Sequence, residues 1–271
     1  MRLITSTDDD DDDKSNSINK PLAPYLHRVG MPPDLTEKLL AWAENSGLVS
    51  ILKDALTINR LEYDEEARVR VNGGTWWIKR FENYWASDLM YMTPDDDESH
   101  EQFMVALGEA GFDQVLQAMG QYFGLSKLSC FYPSLIAVSH ASGSHMHSDS
   151  DHDKIWNVIF PLMQAPNSTK EAEINLGDSE DFESPFSAIP FRYDTRHAVI
   201  LGKDGFHGTA PTDYRNGEIR LVASVYMGDF DDTVVDEYVE DWADPPYPMD
   251  DLRKNASDVV IHAPESQLYL Q

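Results

Sequence analysis

HSDSDHDKIWNVIFPLM, residues 147–163, changes character halfway along. Its first half is imidazole and carboxylate; from Ile155 it is an almost unbroken apolar run. A short apolar run of this kind, bounded by polar turn residues, is the pattern of a strand buried on both faces. A polar cluster at the mouth of such a strand is either a solvated loop or a set of ligands held at a strand end. The sequence on either side has to choose between them.

Outward from this stretch, CFYPSLIAVSH (130–140), RHAVILG (196–202) and EIRLVASVYM (218–227) are also strand-like, with Gly, Pro, Asn and Asp between them. Several short strands separated by such turns predict a sandwich or a barrel. The chain before them reads differently. PPDLTEKLLAWAENSG (32–47) has a helical face in Leu35, Leu39, Leu40 and Trp42, with Pro33 near its start, Asp34 as a cap and Gly47 as its end. VRVNGGTWWIKRF (69–81) is a hairpin about Asn72, Gly73 and Gly74, with Trp76 and Trp77 expected in the core. HEQFMVALGEAGFDQVLQAMGQYFGL (100–125) is helical and breaks near Gly111. The expected organisation is an acidic disordered tail over 1–20, with order from about Pro21. A helical support region with a hairpin, part of the same domain, then covers 21–128, a β core 129–230 and an extension 231–271.

The 271 residues are 41% hydrophobic and carry 48 acidic against 21 basic side chains, a formal charge of −27. Such a surface repels phosphate backbones and anionic lipid, so neither nucleic acid nor membrane is an expected partner. The six adjacent carboxylates Asp8 to Asp13 bury nothing and mark the tail. One cysteine, Cys130, allows no internal disulfide and fits a reducing compartment. The expectation is a soluble, intracellular, cytoplasmic protein; the oligomeric state is not legible.

His147 and Asp149 form an H-x-D triplet. On an extended chain these two positions point the same way, so imidazole and carboxylate can meet at one cation. A third ligand must come from elsewhere. His207, in DGFHGTAP between two predicted strands, is preferred to His197, which opens its own strand. His145 shares a face with His147 but has no aspartate at the matching offset. Asp151 and His152 read as solvated, and Arg215 as exposed. Two histidines and a carboxylate make a facial set that leaves positions open on Fe(II). Arg220 lies inside the apolar strand EIRLVASVYM, where a lone guanidinium is costly unless paired. Its fork suits the far carboxylate of a dicarboxylate, so a metal plus this clamp spans a small keto-diacid.

With His147-x-Asp149, His207 and Arg220, framed by IWNVIFPL, HAVILGKDGFHG and GEIRLVASVY, the region from about 130 to 227 resembles the Fe(II)/2-oxoglutarate-dependent oxygenases. Gly143 stands where such families often carry a glycine before the triplet. Val222 stands where a polar residue is common, and His140 where a tyrosine often helps to hold 2-oxoglutarate. The resemblance implies a mainly β fold with N-terminal helices. Its core would be a double-stranded β-helix, a cupin-like jelly-roll buttressed by helices. It implies Fe(II) on His147, Asp149 and His207, with Arg220 on the 2-oxoglutarate 5-carboxylate. O2 would be the oxidant and ascorbate a supporting reductant. The expected reaction is hydroxylation of a C–H bond in a small molecule or peptide, with succinate and CO2 as coproducts. Halogenation is disfavoured because Asp149 fills the position a halide would need. Alternatives at the same site are desaturation or oxidative ring closure of a small amino-acid-derived substrate, as in kainoid synthases. Further rivals are a cupin-like metalloprotein or a non-catalytic binding sandwich that uses no 2-oxoglutarate.

Overall fold

The computed structural model describes residues 18–23, 26–57, 66–81, 87–141, 146–150, 152–164, 174–177, 189–203, 205–213, 218–228 and 257–260. The run Asp8–Asp13 and the positions Gly143, His145, Asp151 and Arg215 lie outside them.

β1 (Ile18–Ala23) pairs antiparallel with β2 (Leu26–Gly30), so pairing begins ahead of Pro21, within the segment assigned to the tail. α1 (Leu35–Asn45) follows. Asp34 precedes it without capping it; its carboxylate instead meets Lys38 at 2.7 Å. Both groups are about half exposed, so the pair adds little. Gly47, at φ 85°, turns the chain directly into α2 (Leu48–Thr57), a helix the sequence reading did not separate. β3 (Glu66–Val71) and β4 (Gly74–Phe81) form the expected hairpin. Its central residues, Asn72 at φ 51° and Gly73 at φ 95°, are both left-handed, as a type I′ turn requires. β5 (Ser87–Pro94) returns beside β4.

α3 (Asp97–Ala110) starts on a capping box. The Asp96 carboxylate accepts from the Ser99 N–H at 2.9 Å, and also from the Thr75 N–H of β4 at 2.8 Å. One side chain therefore fixes the helix start and the hairpin together. Gly74 makes the approach possible: a Cβ there would sit 2.7 Å from the Ser99 nitrogen. Gly111, at φ 92°, breaks the helix where expected, and α4 (Phe112–Phe123) continues.

The β half comprises β6 (Lys127–Ala141), β7 (Ile155–Met163), β8 (Ile174–Leu176), β9 (Ile189–Phe191), β10 (His197–Leu201), β11 (His207–Thr209), β12 (Thr212–Asp213), β13 (Arg220–Gly228) and β14 (Ser257–Val260). The large sheet runs β1-β2-β10-β7-β13-β6-β5-β4-β3, with β12 and β14 also on β6. A small sheet runs β11-β8-β9, and an antiparallel bridge joins His147 to His207 of β11. Along the chain, β6, β7, β10 and β13 enter the large sheet, while the segment at His147, β8, β9 and β11 enter the small one. All these pairings are antiparallel. This interleaving is a double-stranded β-helix. The strands β1–β2 widen its large sheet on one side and β3–β5 on the other. The region 21–128 is therefore part of the sheet as well as its helical support, and β14 brings the C-terminal extension back onto β6.

Period-two alternation gives the large sheet two apolar faces. The outer face packs under the helices through residues such as Phe160, which meets Phe112 edge-on at 5.1 Å, and Trp156, which stacks on Phe123 at 4.4 Å. Fully burying each such side chain contributes on the order of 1.5–3 kcal/mol. Trp76 and Trp77 are buried, as expected. The inner face joins Ile136, Val138, Ile159, Val199, Leu201 and Val222 to Ile174 and Leu176 of the small sheet. The pairing of β6 with β13 is interrupted once. Tyr132 and Pro133 of β6 oppose Val225 alone on β13, and Tyr132 takes φ 54°. Such a bulge bends a strand locally.

Candidate metal centre

The three residues that spacing selected meet at one end of the inner face. The His147–His207 bridge is held by two backbone hydrogen bonds, each 2.9 Å, which sets the two imidazoles side by side with ring centroids 4.3 Å apart. Asp149 follows in a bend. His147 Nε2 lies 3.4 Å from its Oδ1, and His207 Nε2 lies 3.5 Å from its Oδ2. One potential ligand atom from each residue falls within 4.8 Å of the other two. His207 is buried, and the other two are partly so.

The surroundings of His207 and Asp149 suit ligands. His207 Nδ1 faces the Gly205 carbonyl at 2.9 Å. A carbonyl only accepts, so Nδ1 carries a proton and Nε2 is the nitrogen turned toward Asp149. The Gly205 N–H is itself bound to the Gly202 carbonyl at 2.9 Å, and a Cβ at 205 would lie 2.9 Å from that oxygen. The glycine turn thus orients the imidazole. Burial lowers the His207 pKa, with Asp149 opposing. Burial would raise the Asp149 pKa. His207, His147 and a hydrogen bond from Asn157 outweigh it and hold the carboxyl well below its ordinary value. Neutral imidazoles and an ionised carboxylate are the forms that bind a metal.

The segment around the triplet is built rather than loose. The Ser148 hydroxyl lies against the carbonyls of Ser150, at 2.9 Å, and of Lys203. Ser150 is buried, and its hydroxyl accepts from the His152 N–H at 3.0 Å. These bonds tie the ligand-bearing bend to the turn before His207.

Other candidates sort clearly. His197 is not near the triad: its Nδ1 lies 2.9 Å from both Asp194 carboxylate oxygens and 2.9 Å from Arg28 Nη2. It serves an ion cluster linking β2 and β10. Arg220 is 4% exposed and opens β13 on the same face as Val222 of the inner core. Its guanidinium carbon lies 5.9 Å from the ring centroid of Tyr193, a buried residue that sequence reasoning did not single out. His140, near the end of β6, is exposed. Also missed were Asn157 and Ser224. Asn157 Nδ2 donates to Asp149 Oδ2 at 2.7 Å, and Ser224 Oγ donates to Asn157 Oδ1 at 2.6 Å. The signal for Asn157 was present: it is the one amide side chain in IWNVIFPL.

The donor set suits a metal on chemical grounds. Two imidazoles and one carboxylate on a fixed scaffold match the facial set of mononuclear non-haem Fe(II) sites. No protein-family model and no curated protein sequence matches the chain. Among solved structures, it is similar to the non-haem α-ketoglutarate-dependent epimerase SnoN of nogalamycin biosynthesis, at 14% identity over 74% of this chain and 77% of that one, TM-score 0.45. It is similar to AviO1 from Streptomyces viridochromogenes Tue57, at 15% identity over 76% and 90%, TM-score 0.47. It is also similar to an oxidoreductase of the 2OG-Fe(II) oxygenase family from Burkholderia pseudomallei, at 14% identity over 71% and 90%, TM-score 0.38. The fold is a double-stranded β-helix, and the solved structures it is similar to include 2-oxoglutarate-dependent non-haem oxygenases.

Proposed function

We propose that the chain is an Fe(II)- and 2-oxoglutarate-dependent oxygenase that hydroxylates a C–H bond of a small molecule or peptide. The observation that carries this reading is the convergence of His147, Asp149 and His207 within 4.8 Å, beside an inner face that also buries Arg220. The three ligands would hold Fe(II). Arg220 would bind the far carboxylate of 2-oxoglutarate through its fork, with the Tyr193 ring alongside it. The bound metal and cosubstrate would supply the oxidising chemistry, with 2-oxoglutarate leaving as succinate and CO2. This chain's own residues orient and exclude. The Gly205 carbonyl fixes the His207 tautomer, Asn157 fixes the carboxylate, and Val138, Ile159, Val222 and Leu176 keep water from the inner face. A dry site strengthens every charge interaction in it.

Arg220 distinguishes this reading from a metalloprotein that uses no keto-diacid. Its planar fork, buried on the inner face, suits the far carboxylate of a keto-diacid. The test is succinate formation from 2-oxoglutarate with Fe(II), O2 and ascorbate, with uncoupled turnover in the absence of substrate as the minimal signal. Neither turnover nor 2-oxoglutarate binding to the metal-loaded protein would remove the reading.

A further inference from the structure

Two residues behind the triad point to a device that the ligand set does not explain. Asn157, on β7, is 4% exposed, and Ser224, on β13, is 1% exposed. They lie on adjacent strands: Ser224 pairs with Ile159 and Tyr226 with Asn157. The direction of every hydrogen bond in the chain follows from its end. The Asp149 carboxylate can only accept, so the side of Asn157 that faces it at 2.7 Å must be the amide nitrogen. The other side is then the carbonyl oxygen, and Ser224 must donate to it at 2.6 Å. Serine and asparagine therefore form a one-way relay ending on one oxygen of the metal-site carboxylate.

Packing does not call for this. The other side chains of IWNVIFPL are apolar or aromatic, and an unmatched amide in such a strand is destabilising. Leucine at 157 would fill the strand but leave a nearly buried carboxylate with one bond fewer. Aspartate at 157 would set a second negative charge against it. The asparagine amide, with its donor toward Asp149 and its acceptor toward Ser224, satisfies both neighbours.

We infer that Asn157 and Ser224 are positioning residues that hold the Asp149 carboxylate in its metal-binding orientation, with Ser224 acting through Asn157. This rests on the metal reading of the site given above. The test uses Co(II) alone as a spectroscopic probe, on the wild-type chain and on Asn157→Ala, Ser224→Ala and Ser224→Thr, with thermal melts of each metal-free protein. Outer-shell partners of metal ligands are worth about 10–100-fold in metal affinity. Asn157→Ala is expected to weaken Co(II) binding by about that factor and to change the visible Co(II) absorption. Ser224→Ala is expected to shift both in the same direction by less, and Ser224→Thr, which keeps the hydroxyl, to restore both. Wild-type affinity and spectrum in both alanine variants would overturn the inference while leaving the metal reading intact. Should Asn157→Ala lose its cooperative melt, the Ser224→Ala and Ser224→Thr pair decides alone: equal affinity and spectrum in the two overturns the inference. A wild-type chain that binds no Co(II) overturns the metal reading and this inference with it.

Discussion

The two faces of the large sheet are made from the same strands and buried to a similar depth, yet they are chemically unlike. The outer face meets the helices with Phe160, Val158, Leu221 and Ala223, all apolar. The inner face places Asn157, Ser224 and Arg220 on alternate positions of those same strands and adds His207 and Asp149 from the other side. Alternation in β7 and β13 thus separates apolar packing from buried polar groups residue by residue. Buried polar groups carry a desolvation cost that apolar packing does not. The inner face bears that cost while the outer one supplies compensating burial. A polar residue on the face that needs none is therefore the informative one.

The comparison breaks if substitutions on the two faces have the same consequences. The largest expected contrast is between ligand and packing variants. His147→Ala, Asp149→Ala and His207→Ala should each abolish cosubstrate turnover and sharply weaken Fe(II) binding, with the cooperative melt retained. Phe160→Ala should do the reverse, destabilising by about 3–5 kcal/mol in a denaturant titration while the folded fraction still binds one metal. A ligand variant that unfolds the chain, or a Phe160→Ala protein that is stable but metal-free, would merge the two faces into one.

A smaller effect sharpens the division within the inner face. Arg220→Lys keeps the charge and loses the bidentate fork. A hydrogen bond to a charged group is worth about 1.5–3 kcal/mol, so 2-oxoglutarate affinity should fall by about one to two decades. Metal affinity should hold, because Arg220 is not among the converging ligands. Calorimetric titration of 2-oxoglutarate into Mn(II)-loaded protein reads this directly. An unchanged affinity would move the clamp elsewhere, and Arg215 would be the next residue to replace.

The smallest effect concerns the ion cluster of Arg28, Asp194 and His197. Burial would raise the Asp194 pKa. The hydrogen bond and charge of His197, the Arg196 N–H and Arg28 outweigh it and set the value at about 2 against an ordinary 3.8. A carboxyl depressed on folding contributes stability that is fully present above the unfolded value and lost as pH falls through the folded one. Asp194→Asn should therefore flatten the loss of melting temperature between about pH 4 and pH 2 relative to wild type. Metal affinity at neutral pH should not change in His197→Ala. Loss of metal binding there would restore His197 as a rival to His207.

How much of this was legible follows from the length and periodicity of each element. β7, β10 and β13 were readable because apolar runs of strand length stood between turn residues. The hairpin was readable because Asn-Gly specifies its turn. The strands β8, β9 and β11 are three residues each, too short for any period to show, so the small sheet came only from the resemblance. α2 follows α1 across a single left-handed glycine, and a helix with no polar spacer before it reads as a continuation. Asp34 looked like a cap because the residue type is right, but Lys38 takes its carboxylate. The convergence of His147, Asp149 and His207, and the burial of Arg220, were legible from their order along predicted strands. Asn157 and Ser224 were not, because their roles appear only when register sets β7 beside β13. Tyr193 follows a short strand, and nothing local marks it as lying beside Arg220.

The central claim is that metal and cosubstrate act on the inner face and leave the helix-covered face alone. Hydrogen-exchange mass spectrometry with and without Mn(II) and 2-oxoglutarate tests it most directly. The expected result is slowed exchange in peptides spanning His147–Asp149, His207–Thr209 and Arg220–Ser224, with α1 and α3 unchanged and no effect on the acidic run Asp8–Asp13. Protection confined to that acidic run, or none at the three inner-face segments, would contradict the account.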